Sequence, residues 1–150
     1  MDLALEFTYD VELGQPQMPG PGPYGNRIVA PVTGGSVTGD RIHGSVLGPG
    51  ADWLLIGPDG WGRLDVRGQI QTDDGACVYV TYTGLLQITD KVMGAMLSAE
   101  EETGFEDQYY RITPRLESGD ERYAWVNQTI FVGRGRFTRS GVAYEVFRVT

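Results

Sequence analysis

A chain of 150 residues, 41% of them hydrophobic, has the size and composition of one globular domain, 1–150, with a single core. Twelve Lys and Arg against 20 Asp and Glu leave a formal charge of −8. The basic residues are scattered, so the footprint of a nucleic-acid binder or of a protein drawn to an anionic membrane is missing.

The single cysteine, Cys77, excludes an intramolecular disulfide, and the single histidine, His43, excludes a multi-histidine zinc site. The opening MDLALEFTYD has no basic start and no long apolar run, and no stretch approaches the roughly 20 apolar residues of a membrane helix. The expectation is a cytoplasmic chain.

Taken in chain order, the patterning has period two. In residues 3–13, Leu3, Leu5, Phe7, Tyr9 and Val11 alternate with Ala4, Glu6, Thr8, Asp10 and Glu12, a strand with one dry and one wet face. Residues 14–26, GQPQMPGPGPYGN, hold four Pro and four Gly, which excludes a regular element and leaves a long ordered loop of the kind that walls or covers a cavity, or a flexible linker. Arg27–Val32 reads as a strand, Gly34-Gly35 as a turn and Ser36–Leu47 as a strand broken near Gly39-Asp40. Gly48-Pro49-Gly50 reads as a further turn before a strand at Asp52–Ile56. Pro58-Asp59-Gly60 is a tight-turn sequence, Arg63–Gln71 alternates again, and Asp73-Asp74-Gly75 is a hairpin signal before the strand Ala76–Ile88. One helix is predicted over Lys91–Glu102, capped by Asp90, with Val92, Met96 and Ala99 on one side. Strands follow at Gln108–Glu117, Arg122–Gly133 and Gly141–Val149, with Gly133–Ser140, including Gly133-Arg-Gly-Arg136, as a turn.

Eight to ten strands with short links and one helix make an antiparallel sheet that must close or split into two layers. The predicted class is all-β, an antiparallel barrel of about eight strands, with a sandwich as the competitor; a barrel of this size has room for one small ligand. Period two defines two faces per strand but not which one is inside. One assignment puts the polar and aromatic faces around a cavity, with the aliphatic faces covered by the helix or a homo-oligomer interface. The other puts the aliphatic faces inside.

Four strings carry a resemblance: GDRIHGSVLGPGADWLLIGPDG at 39–60, LDVRGQIQTDDGACVYVTYTG at 64–84, YYRITPRLE at 109–117 and RYAWVNQTIFVGRG at 122–135. Together they resemble the bacterial and fungal family called domain of unknown function 3237, also uncharacterised protein family 0311. The resemblance implies an eight-stranded up-and-down barrel and no settled activity. The implied architecture is similar to that of small barrels acting as cyclases and isomerases, which bears on fold alone.

If the polar faces line the cavity, Asp65 and Arg67 share it about 7 Å apart, two residues at about 3.3 Å each. Arg67 then stabilises an oxyanion, Asp65 orients it or acts as a base, and Tyr82 joins them as a catalytic candidate. A structural ion pair is the alternative for the two charges. Trp53, Tyr109, Tyr123 and Trp125 form an aromatic wall, Asn127 is an amide in need of partners, and Arg111 and Glu117 lie on one face. Tyr24 and Arg27 are placed to close the mouth. Asp73-Asp74-Gly75 is too short of oxygen ligands for a calcium loop, and Cys77 reads as inert packing. The expectation is therefore a small-molecule ligand, with no metal and no cofactor. Two functions remain open, a cofactor-free isomerase, cyclase or lyase and a carrier barrel without chemistry, with a subunit of a homo-oligomer as a third and weaker idea.

Overall fold

In a computed structural model, which describes residues 1–98 and 100–150, nine strands form one antiparallel sheet. In chain order they are β1 (Leu3–Leu13), β2 (Gln17–Gly22), β3 (Gly25–Gly39), β4 (Gly44–Ile56), β5 (Trp61–Thr72), β6 (Cys77–Gln87), β7 (Tyr110–Glu117), β8 (Phe131–Phe137) and β9 (Gly141–Val149). The sheet runs β1-β9-β8-β7-β6-β5-β4-β3, and β3 pairs back onto β1, closing an eight-stranded up-and-down barrel. The extra strand, β2, folds against the start of β3 as a hairpin. Residues 14–26 are thus partly strand, with Met18, Gln15 and Pro16 forming part of an interior wall.

The aliphatic faces point inward. On β5, Leu64, Val66 and Ile70 are buried while Asp65 and Arg67 are exposed. On β7, Tyr110, Ile112, Pro114 and Leu116 are buried while Arg111, Thr113, Arg115 and Glu117 are not. This overturns the polar-interior assignment. The reason is coverage: among the described residues the one α-helix, α1 (Asp90–Leu97), is eight residues long and buries Val92 and Ala95, too little to cover the outer wall. Under those conditions the apolar side chains must go inside, where each fully buried Ile or Leu contributes about 1.5–3 kcal/mol. Most of the aliphatic side chains are therefore core, while Leu3, Leu5 and Ile130 from those faces stay exposed.

Other local expectations are corrected as well. Gly34-Gly35 and Gly48-Pro49-Gly50 are not turns; each lies within a strand where the pairing register shifts, a bulge that bends the barrel wall. Gly35 has φ +137°, and a Cβ there would collide with the Asp10 carbonyl. The hairpin at Asp73–Gly75 forms, with Gly75 at φ +93° and its N–H donating to the Thr72 carbonyl at 3.0 Å. Helix α1 starts one position earlier than expected because the Thr89 hydroxyl, not Asp90, accepts the Val92 N–H at 3.1 Å. It stops at Leu97, and Ala99 lies outside the described residues.

The expected strand at Arg122–Gly133 is instead a 3-10 helix, Glu121–Gln128, followed by β8. Asp120 caps it by accepting the Arg122 N–H at 2.9 Å, and Tyr123 and Val126, three apart, form its buried side. The run Gly133–Arg136 is strand, not turn. Its glycines face inward to make room for larger neighbours: a Cβ at Gly135 would lie 2.9 Å from the rings of both Tyr110 and Tyr144.

The two ends of the barrel differ. At the end holding the start of β1 and β8, Phe7, Ile42, Val46, Ile70, Val78, Val126 and Phe131 pack into a continuous plug. Beside it Glu6, almost wholly buried, is held by Arg148 and by Arg41, whose Nε lies 2.7 Å from Oε1. At the opposite end the interior is hollow.

Candidate active site in the barrel interior

The hollow end encloses about 590 Å³ between the β1–β2 link, α1, the β8–β9 turn and the inward faces of β3, β4, β6, β7 and β9. That volume suits a small organic ligand. Most of the lining is apolar, including Val11, Ile28, Leu54, Val66, Leu86 and Met96. Against this background three polar features stand out.

The first is Asp52 on β4. It lies opposite Ala30 and Val66, so strand alternation aims it with Leu54 and Ile56 into the cavity. Burial pushes its carboxyl up to about 7. The Asp65 backbone N–H, 3.2 Å from Oδ1, pulls it down, the Asp65 charge pushes it up, and Arg27 pulls it down again. A carboxyl raised to about 7 is suited to act as a general acid or base.

The second is a tyrosine cluster. Tyr82 donates to the Tyr144 hydroxyl at 3.3 Å, and Tyr110 and Tyr144 share a 2.7 Å hydrogen bond. The rings meet edge to face, Tyr144 standing 5.4 Å from both Tyr82 and Tyr110. Burial, with contributions from one another and from Asp52, pushes all three hydroxyls up, so they remain protonated donors at neutral pH. Three hydroxyl hydrogens serve two bonds, which leaves one O–H to donate elsewhere.

The third is Asn26 at the start of β3. Its Oδ1 is buried and has no hydrogen-bond partner among the described residues. A buried amide oxygen in that state costs about 1–3 kcal/mol unless something donates to it.

Of the residues singled out from sequence, only Tyr82 lines this cavity. Asp65 and Arg67 stand on the outer wall, and Asp65 reaches the cavity only through its backbone N–H and its charge on Asp52. Trp53 and Tyr109 are on the outside, where Tyr109 packs edge-on against Trp61 and carries the Arg111 guanidinium 4.9 Å from its ring. Tyr24 is 79% exposed at the β2–β3 turn, and Arg27 donates to the Trp53 carbonyl at 2.7 Å.

Tyr123 and Trp125 belong to the plugged end. Tyr123 donates to Asp74 at 2.8 Å, and Trp125 packs on Phe131 under the Arg41 guanidinium. Asn127 brackets the Ser118 backbone, accepting its N–H at 2.9 Å and donating to its carbonyl at 2.8 Å. Asn127, Glu117 and Cys77 flank an open depression on the outer surface. Cys77 is exposed, because its position faces outward at the start of β6.

Asp52 and Asn26 were missed, yet both carry a signal. Asn26, Ile28, Ala30 and Val32 share one parity, as do Asp52, Leu54 and Ile56. A carboxylate or amide on the apolar face of a strand marks a polar group aimed inward.

Comparison with known proteins gives a consistent picture. Residues 1–149 match the family described as Protein of unknown function (DUF3237). A UPF0311 protein of Rhodopseudomonas palustris is 33% identical over 143 residues, covering 95% of this chain and 93% of its own. The crystal structure of a conserved protein of unknown function from the same species superimposes with a TM-score of 0.92 at 31% identity, covering 99% of this chain and 97% of that one. The crystal structure of an enzyme from Penicillium herquei superimposes with a TM-score of 0.75 at 21% identity, covering 99% of this chain and 94% of its own, a likeness of fold.

Proposed function

We propose that this chain, which belongs to the family described as Protein of unknown function (DUF3237), is a cofactor-independent enzyme that moves a proton on a small carbonyl compound held inside the barrel. The observation that carries this reading is that Asp52, its carboxyl pushed up to about 7 by burial, lines the same largely apolar cavity as the Tyr82, Tyr110 and Tyr144 hydroxyls.

In the forward step the Asp52 carboxylate takes a proton from the carbon next to the carbonyl. The C–H electron pair becomes the C=C bond of an enolate, and the former C=O pair moves onto oxygen. The spare O–H of the Tyr82–Tyr144–Tyr110 cluster donates to that oxygen where charge develops, between largely apolar walls. Protonated Asp52 then returns the proton to the same or a neighbouring carbon, giving exchange or isomerisation with no electron gained or lost. The apolar walls hold the substrate against the base, which supplies the remaining advantage. That a fold neighbour is called an enzyme agrees with this reading.

The test uses 2-tetralone, an apolar bicyclic ketone, in D₂O, with exchange of its α-hydrogens followed by NMR. The expected result is saturable exchange that rises with pH through about 7 and falls at least 100-fold in Asp52→Asn. Exchange no faster than in buffer, or equal in Asp52→Asn, overturns the reading.

A carrier barrel without chemistry is the second reading. The observation favouring it is that the three tyrosine hydroxyls already hydrogen-bond one another, as any buried hydroxyls must. It requires 2-tetralone to bind without exchanging.

A further inference from the structure

Period two carries Leu3 and Leu5 inward with Phe7, Tyr9 and Val11, yet the two leucines are 59% and 53% exposed. A bulge is the reason. The pairing of β1 with β9 shifts between Leu5 and Phe7, so Glu6 is an extra residue and the parity reverses before it. Glu6 points inward, where Arg41 and Arg148 hold it, and the leucines point out.

Other apolar side chains stand beside them. The register sets Leu5 opposite Phe147 and Phe147 opposite Val132, one row across β1, β9 and β8. In the next row Leu3 lies opposite Val149, whose N–H donates to the Ile130 carbonyl at 2.9 Å. Val132, Phe147 and Val149 are half-buried on the outward parity of their strands, and Ile130 is 71% exposed. Two rows of three apolar side chains thus lie side by side on the outer wall. Single exposed apolar residues are ordinary, but a contiguous group of them marks a surface that something covers.

Charge selects the occupant. The chain carries −8, so two copies repel each other over most of their surface. None of these six side chains is ionisable. In the adjoining row, Thr8, Glu145 and Arg134, the two charges already pair with each other at 2.6 Å. Two copies therefore meet here without stripping water from a lone carboxylate. The patch gives an acidic or basic partner nothing to pair with, but it matches itself. A two-fold axis lying in the contact plane beside Phe147 and Val149 lays apolar rows on apolar rows.

We infer that a second copy of this chain covers the patch, in a two-fold dimer built on Leu3, Leu5, Ile130, Val132, Phe147 and Val149. Six side chains fall short of the roughly 800 Å² per partner of a standard interface, so the dimer is reversible, with a Kd on the order of 10 µM. The contact lies at the solid end of the barrel and does not depend on the chemistry of the cavity.

The test is sedimentation velocity of the full chain over concentrations bracketing that Kd. The unaltered protein is expected to pass from monomer to dimer, and equally or more tightly in 0.5 M NaCl, since no ion pair holds the contact. Leu5→Lys and Ile130→Lys, each at an exposed position, should raise the Kd at least tenfold. Tyr24→Lys, which adds the same charge at the β2–β3 turn, should leave it within twofold. A second measurement needs no variant: amide NMR signals of the unaltered protein should shift with concentration around Leu3–Leu5, Ile130–Val132 and Phe147–Val149. Monomer at every concentration overturns the inference, and binding to phosphatidylcholine vesicles would then give the patch to a lipid surface. A dimer that persists in both lysine variants, dissolves in salt, grows beyond two chains or shifts amides elsewhere also overturns it.

Discussion

The two ends of this barrel are built from the same strands with the same alternation, yet one is solid and the other hollow. At the solid end Phe7, Ile42, Ile70, Val78 and Phe131 fill the interior, and the 3-10 helix adds Val126 and Tyr123. The one buried acid there, Glu6, faces two arginines; burial pushes its carboxyl up, but hydrogen bonds and charge from Arg41 and Arg148 outweigh that and hold it low. At the hollow end the inward acid, Asp52, has no such partner and is held high. The same residue class on the same kind of surface thus becomes a clamp or a proton exchanger according to whether a guanidinium stands against it.

That contrast can be broken most forcefully at the solid end. Ile70→Ala should cost about 3–4 kcal/mol in chemical denaturation, because Ile70 is fully buried and its truncation leaves a void in the core.

A smaller effect of opposite sign is expected at the hollow end. With Asp52 raised from 3.8 to about 7, the folded chain holds a proton that the unfolded chain has lost, so stability falls as pH rises from about 4 to 7 and stays low above. Asp52→Asn should remove that fall and stabilise the protein by about 1–3 kcal/mol at pH 8.5, measured as denaturant midpoints across pH. Glu6 works the other way: its contribution is present above its unfolded value near 4.5 and is lost as pH falls through its lowered folded value. Loss of stability on acidification should therefore persist in Asp52→Asn.

The smallest effect sharpens the inside-outside distinction. Arg67→Ala, on the outer wall, should change stability by less than about 0.5 kcal/mol and leave 2-tetralone exchange unchanged. Loss of exchange in that variant would return the chemistry to the outer face.

The strands and their closure were legible because period two survives in nearly every segment, as in Arg63–Gln71 and Gln108–Glu117. The inside was not, since alternation is symmetric between faces and the deciding fact is what covers the outer wall. The 3-10 helix escaped because Tyr123, Trp125 and Asn127 alternate like a strand while Tyr123 and Val126 pack like a helix; the Asp120 cap decides between them. Bulges at Gly34-Gly35 and Gly48–Gly50 read as turns because glycine and proline mark both. Asp52 and Asn26 were not legible for a related reason: each is a single polar residue on an otherwise apolar strand face, where period two marks core.

The most direct test is the titration of Asp52 itself. With aspartate labelled at the side-chain carboxyl carbon, NMR across pH should show one resonance with a midpoint near 7, absent in Asp52→Asn and displaced when 2-tetralone is added. A spectrum in which every aspartate titrates below 5, with or without the ketone, would contradict the presence of a proton-exchanging group inside this barrel.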